Sequence, residues 1–411
     1  MRNRVLLALA GIAYLASVGV AQRRDVFVAS RDHAAIAYST TRATDAIARL
    51  NERLAAGTAT LAYRPENGYL RSVLDLLEVP IESQSVVFSQ TSFQAPLIDM
   101  RNPRAVYFND TVMVGWVRGG SLLELTAQDP RQGVIFYSLE QKPSKSPRFV
   151  RDNMCLACHL SWDTYGVPGL FMLSTLPRPD DNAYANGFQT DHRSPFNERW
   201  SGWYVTGNPG ARHLGNIPVT PAELKRTTVP NPRTPLTSLD GVFDLKGFPT
   251  AHSDVVALMV FAHQAQMTNL LTRLGWEARL GAADRIADAA QQVVDYMLFV
   301  DEPPLAAKVE GHSGFTEMFS ATGPRDAQGR SLRQLDLQQR LLRYPCSYMI
   351  YSEAFEALPA TARDAVYAGL WRVLSGQERA PKYARLAAAD RQAIVDILRA
   401  TKKDLPDTFG S

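Results

Sequence analysis

The stretch NMCLACHLSW, residues 153–162, constrains this chain more than any other. Cys155 and Cys158 are two residues apart, and His159 follows the second directly. The backbone around such a triplet must present two thiols and an imidazole on one side of one turn. Three chemistries use that arrangement: a dithiol redox pair, half of a zinc site, and a double thioether anchor with an adjacent iron ligand.

A structural zinc site takes four ligands, as two Cys-x-x-Cys knuckles or one knuckle and two close histidines. There is no second knuckle; Cys346 stands alone, and His192 and His213 are far apart in sequence. A thioredoxin-like pair would open a helix after a buried strand. RFVRDNM precedes Cys155 without such a strand run, and LSWDTYGVPG breaks any helix early. The third chemistry is covalent haem attachment. The two thiols add across the two vinyl groups of one porphyrin, and the next residue's imidazole ligates the iron.

The N-terminus bears on the same question. Arg2 and Arg4 precede the apolar run Val5 to Val20, which ends at Ala21-Gln22. A basic start, an apolar stretch and a small exit residue describe a secretory signal over residues 1–21. The run is short for a membrane span, which takes roughly 20 residues. The alternative is an uncleaved N-terminal anchor, and only then is membrane contact expected. Arg23-Arg24 follows the apolar run, so it is not a twin-arginine signal. Cleavage removes two of the 44 basic residues and leaves a formal charge of +1 against 41 acidic ones. Nothing in that balance suits a phosphate-tracking surface, so no nucleic-acid partner is expected. The expected location is periplasmic or otherwise exported. Three cysteines do not make a paired disulfide set, and Cys346, among Tyr344, Tyr348, Met349 and Tyr351, reads as a buried free thiol.

Pattern along the chain divides it into residues 22–150, a strand-rich α+β part; 151–250, a loop-rich part around the motif; and 251–411, a helical part packing on it. The whole is expected to be mainly α with an N-terminal strand-rich region and long irregular loops. Residues 42–54 have helical spacing. VVFSQTSFQ, AVYFNDTVMVGWV, LLELTAQDP and GVIFYSLEQ, within 86–141, read as strands joined by turns. Residues 176–250 lack periodicity, as cofactor-wrapping loops do. Helices are expected over 253–275, starting near Ser253 or Asp254, over 283–299, from a capping box at Thr361 and Asp364 to Gly376, and over 386–401.

With CLACH quoted, the chain resembles the c-type cytochromes. The resemblance covers the leader, the motif and the stretch to about Gly169. It implies one covalently bound haem c held by Cys155 and Cys158, with His159 as proximal iron ligand. In small class I members a Gly-Pro turn follows, and its proline carbonyl receives the histidine Nδ1 proton. Gly166-Val167-Pro168-Gly169 lies at a similar place with one residue inserted, so Pro168 is the expected orienter of His159. The pattern then departs. The chain is far longer than a small shuttle and has no Met-Pro loop downstream. It has one CxxCH motif where diheme peroxidase-type cytochromes have two.

For the sixth iron position the candidates are Met172, His192, His213 and His263. Met172 sits in the apolar run LFMLS. His192 and His213 flank ERWSGWYVTGNPG, in which Trp200, Trp203 and Tyr204 are expected porphyrin walls and Arg193, Arg199 or Arg212 propionate partners. His263 shares a helix face with Met259 and Met267. His252, at the start of that helix, reads as a capping or solvent residue, and His33 and His312 look peripheral. Two functions follow: electron transfer between periplasmic redox partner proteins with both axial positions filled, or haem-dependent peroxidase- or oxygenase-like chemistry at an open sixth position. A haem-bearing subunit of a larger redox complex fits the same features. No nucleophile elbow, Walker or Rossmann pattern is present.

Overall fold

The computed structural model describes residues 31–175, 187–219 and 235–410. The proposed leader, residues 1–21, lies outside them, as do 176–186 and 220–234 of the irregular stretch. In chain order the elements are α1 (Ala46–Ala55), α2 (Leu70–Leu76), β1 (Ser85–Val87), β2 (Arg104–Phe108), β3 (Val112–Val117), β4 (Leu122–Asp129), β5 (Gly133–Glu140), β6 (Val150–Arg151), α3 (Leu156–His159), β7 (Met172–Thr175) and β8 (Gly187–Thr190). Six helices follow: α4 (Val255–Leu280), α5 (Ala283–Met297), α6 (Phe315–Ala321), α7 (Glu353–Glu356), α8 (Ala360–Leu374) and α9 (Ala388–Thr401). The class is mixed α+β.

Strands β1 to β6 form one antiparallel meander in sequence order, and β7 pairs with β8. The turns account for this simplicity. Asn109 Oδ1 accepts from the amides of Thr111 and Val112, folding β2 back onto β3. Asp129 Oδ1 accepts from Arg131 and Gln132, and Gly133 then takes a φ of +91°, open to glycine without strain.

Cross-strand register gives the sheet two working faces. Phe108 pairs with Met113, Met113 with Thr126, and Thr126 with Phe136, so all four side chains share one face. Phe108 on that face meets Phe261 of α4. On the other face Tyr137 donates to Asp45 Oδ2 at 2.6 Å, while Asp45 Oδ1 caps α1 through the amides of Ile47 and Ala48. One buried carboxylate therefore starts a helix and ties it to the sheet.

Helix α4 is the centre of the molecule. Its 26 residues span about 39 Å, and almost every one before Ala278 is buried. The helix runs five residues beyond the apolar pattern because Glu277 to Leu280 are good helix formers. Gly281, at φ +80°, ends it. The expected capping box at Thr361 is not formed: α8 begins at Ala360 after Pro359, with no side-chain cap. Proline at that position sets the entry angle instead. One contiguous apolar core draws on α1, the sheet, α4, α5, α8 and α9. Among the described residues, no helix is long and apolar enough to cross a membrane.

Asp254 is the most heavily used cap. It is fully buried, and its Oδ1 accepts from Val256 and Ala257 while its Oδ2 accepts from His312 and Ser313. It thus starts α4 and anchors the distant 311–313 loop. Asp254→Ala leaves four amides, two of them buried, without an acceptor and is expected to lower stability by about 2–4 kcal/mol. Urea unfolding monitored by circular dichroism checks this; a loss below about 0.5 kcal/mol would contradict the role.

Candidate functional site

The motif sits on the Phe136 face of the sheet. Chain leaving β6 passes through a short 3-10 turn, Asn153–Cys155, and then the single turn α3. Asp152 caps this turn by accepting from the Met154 amide at 2.9 Å. Leu156 is buried and pins α3 to the core, so Cys155, Cys158 and His159 are placed from a fixed backbone. Both thiols are free; Cys158 is exposed and Cys155 partly so.

His159 is held on three sides. Its Nδ1 lies 2.9 Å from the Gly169 carbonyl. A carbonyl only accepts, so Nδ1 carries the proton and Nε2 keeps its lone pair. The ring stacks on Phe171 at 4.7 Å and 10°, and meets Phe136 of β5 at 4.9 Å. Desolvation, outweighing the help of the Gly169 carbonyl, pushes its pKa down to about 4, so the imidazole is neutral at pH 7.

The accepting carbonyl is a correction to the expectation for Pro168. It belongs to the next residue, because Tyr165 and Gly166 both take left-handed conformations (φ +58° and +73°) and redirect the loop. Asn269 of α4 then clamps Leu170, accepting from its amide at 2.8 Å and donating to its carbonyl at 2.6 Å. A Cβ on residue 169 would lie 2.4 Å from Asn269 Oδ1 and 2.8 Å from Thr164 Cβ, so only glycine allows this approach. The amide of Gly169 also returns a bond to the His159 carbonyl at 2.9 Å.

The surroundings of the motif are apolar and open. Trp162 is 78% exposed and Met154 69% exposed, among the largest exposures of any apolar side chain here. Phe93, also exposed, follows Ser92, whose hydroxyl donates to Glu124 at 2.7 Å. Glu124 acts electrostatically on both Cys155 and His159. It pairs with Arg104 at 3.1 Å, and the Arg104 Nε is buried with no hydrogen-bond partner. An exposed apolar rim of this kind is what a flat apolar group would cover. Sequence reading missed Arg104, Gly169, Asn269 and Phe171. A buried asparagine on an otherwise apolar helix was the signal available.

The thiols speak against a redox pair. A reactive Cys-x-x-Cys lowers its thiol pKa; burial, reinforced by Asp152 and Glu124, instead pushes Cys155 up to about 12. Among the described residues, no three His, Cys, Asp or Glu side chains gather as a metal-binding group. Cys346 is fully buried and its thiol is also pushed up to about 12 by desolvation, as an inert core cysteine is.

The structure joins two of the sixth-position candidates to each other. His192 Nδ1 and His263 Nδ1 are 2.8 Å apart, and His263 Nε2 is 2.8 Å from Ser347 Oγ. Tyr296 and Phe299 stack on His263. Both His263 nitrogens are therefore occupied. The Nδ1 of His213 accepts from the Gly215 amide at 3.0 Å, which places its proton on Nε2. Met172 is buried in β7. Among the described residues, no ring contact or hydrogen bond links His159 to His192, His213 or His263. The expected porphyrin walls are core as well: Trp200 is fully buried, Trp203 Nε1 donates to Leu173 O, and Tyr204 donates to Met100 O. Arg199 donates to the carbonyls of His192 and Ser194, and Arg193 pairs with Asp191 at 2.6 Å. Comparison with protein-family models, curated proteins and solved structures finds no match to this chain.

Four desolvated histidines, His192 and His263 buried and His159 and His213 partly so, share one electrostatic consequence. Desolvation lowers His159 and His213 to about 4, His263 to about 3, and His192 well below the ordinary 6.5. The unfolded chain takes up these protons first, so their stabilising contribution is complete above about pH 6.5 and is lost as pH falls towards 4. Glu302, raised to about 7 by burial, opposes this through one group. Each histidine contributes up to about 1.4 kcal/mol per pH unit. Urea midpoints of the haem-free protein measured between pH 7 and 5 should fall, and His263→Gln should make the fall shallower; a flat profile contradicts the assignment.

Proposed function

We propose that Cys155 and Cys158 hold one haem c through thioether bonds, with His159 as its proximal iron ligand, and that the exported chain passes electrons between periplasmic redox partner proteins. The observation that carries this reading is the state of His159: Nδ1 is committed to Gly169, and Nε2 keeps its lone pair on the same short turn as two unpaired thiols. That is the second-sphere arrangement a ligating imidazole requires. Bound there, haem c supplies a one-electron iron couple. The chain's own residues do the rest. Gly169, held by Asn269, fixes the tautomer and orientation of His159; Phe136 and Phe171 hold the ring in plane. Met154 and Trp162 supply apolar cover, and Arg104, paired with Glu124, flanks the motif. The motif lies at the surface, where a partner protein can approach. The same features suit a subunit of a larger redox complex.

A second reading has its own observation. Both nitrogens of His263, and the Nδ1 of His192 and of His213, are engaged away from His159. An open sixth position and a haem-dependent oxidoreductase of peroxidase or oxygenase type would follow.

The test is a visible spectrum of protein exported with the c-type maturation machinery and reduced with dithionite, before and after carbon monoxide. A c-type spectrum that carbon monoxide leaves unchanged supports the carrier; a large shift selects the open site. Single Cys155→Ala or Cys158→Ala variants should lower covalent haem retention several-fold in denaturing gels. Full retention in the double variant would overturn the haem reading.

A further inference from the structure

We infer that the cavity between β2, α6 and the 348–352 turn is a binding site for a small, uncharged, planar aromatic molecule that bears a carbonyl-type acceptor. The cavity has a volume of about 410 Å³, within the range of small-molecule sites. Its walls are aromatic: Phe108 from β2, Phe315 and Phe319 from α6, and Tyr348. These rings already pack on one another, Phe108 against Phe315 at 5.7 Å and Phe319 against Tyr348 at 5.0 Å, so the walls are formed in advance.

Among the polar groups that line the cavity with these rings, Arg333 and Gln264 are held in place by the fold. Arg333 is buried, with its guanidinium 4.1 Å from the Phe319 ring and 4.5 Å from the Tyr348 ring. Its Nη1 bonds both oxygens of Asp110 at 3.0 and 2.8 Å, and its Nε bonds the Phe319 carbonyl. Its Nη2 makes no hydrogen bond among the described residues. Gly323, at φ +84°, lets its loop close on the arginine stem; a Cβ there would stand 2.6 Å from Arg333 Cδ. Gln264, buried on α4, is held by Tyr348 Oη and the Asn109 carbonyl. The guanidinium is thus locked between two rings with one donor in hand.

Charge decides the class of occupant. Asp110 neutralises Arg333, and Glu78 lies on the lining as a second carboxylate. An anion would meet no net positive field. A neutral acceptor takes the Nη2 donor without disturbing the ion pair, while its ring stacks on the aromatic walls. The site lies on the sheet face that carries the motif. Phe108 and Phe136 are three strand spacings apart in one cross-strand row, about 14 Å. Occupancy nevertheless does not rest on the haem reading and is tested without it.

Calorimetric titration of the full-length mature chain with acetophenone, and in parallel with benzoate, tests the site. The expected result is one-to-one binding of acetophenone, with benzoate at least ten-fold weaker. Met318→Trp, which fills the cavity from α6, should abolish binding, and Arg333→Met should weaken it about ten-fold. Thermal unfolding of each variant verifies folding. If Arg333→Met does not fold, Met318→Trp decides. No binding of either probe, tighter binding of benzoate, or binding unchanged in a folded Met318→Trp would overturn the proposal.

Discussion

The carboxamide of Asn269 holds both the amide and the carbonyl of Leu170, and through them the carbonyl of Gly169 that orients His159. This clamp links the centre of the longest helix to the one imidazole of the CxxCH motif. A buried amide with both ends satisfied costs little, whereas a broken one leaves polar groups stranded in an apolar core. The clamp depends on where α4 is packed. Asp254 caps its start and the surrounding apolar core buries its length. Motif geometry is therefore a property of the whole core, although the motif itself is one turn long.

The interior separates two sets of histidines. His159 lies partly open on the sheet face, with one nitrogen uncommitted. His192 and His263 lie deep between α4 and α5, bonded to each other and covered by Tyr296 and Phe299. All are kept neutral by desolvation, but only His159 stands beside thiols. A neutral imidazole with a lone pair near the surface is available to a ligand or metal; two neutral imidazoles sharing one proton in the core act as a packing device. The distinction rests on hydrogen-bond partners, which residue type alone does not reveal.

The fold was legible where local patterning and tertiary packing agree. The hairpins between 104 and 140 followed from alternating apolar residues and from the turn chemistry of Asn109 and Asp129. Helices α5 and α9 began and ended close to the positions their spacing implies, while α1 starts four residues later and α4 ends five residues later than the pattern. The misses have physical causes. Pro359 displaced the expected cap at Thr361, because a proline entry left the threonine inside the helix. Trp200, Trp203 and Tyr204 looked available to line a cofactor, but their Trp-Tyr-Gly density reflected a buried corner in which Trp203 and Tyr204 are bonded to backbone carbonyls. Met259, His263 and Met267 do share the face that spacing predicts, yet that face meets Ser347 and Tyr296 instead of the motif.

By itself the sequence determined that Cys155, Cys158 and His159 gather on one side once the chain makes a helical turn there, because residues three and four apart are neighbours on such a turn. It also determined the antiparallel meander, because turn residues and strand periodicity act within a few positions. Only the tertiary structure decided which carbonyl orients His159, which arginine accompanies it, and which histidines lie elsewhere. Gly169 and Asn269 are a hundred residues apart, and Arg104 and His159 more than fifty. Such partners are chosen by how the sheet and α4 pack, and short-range pattern carries no information about that packing.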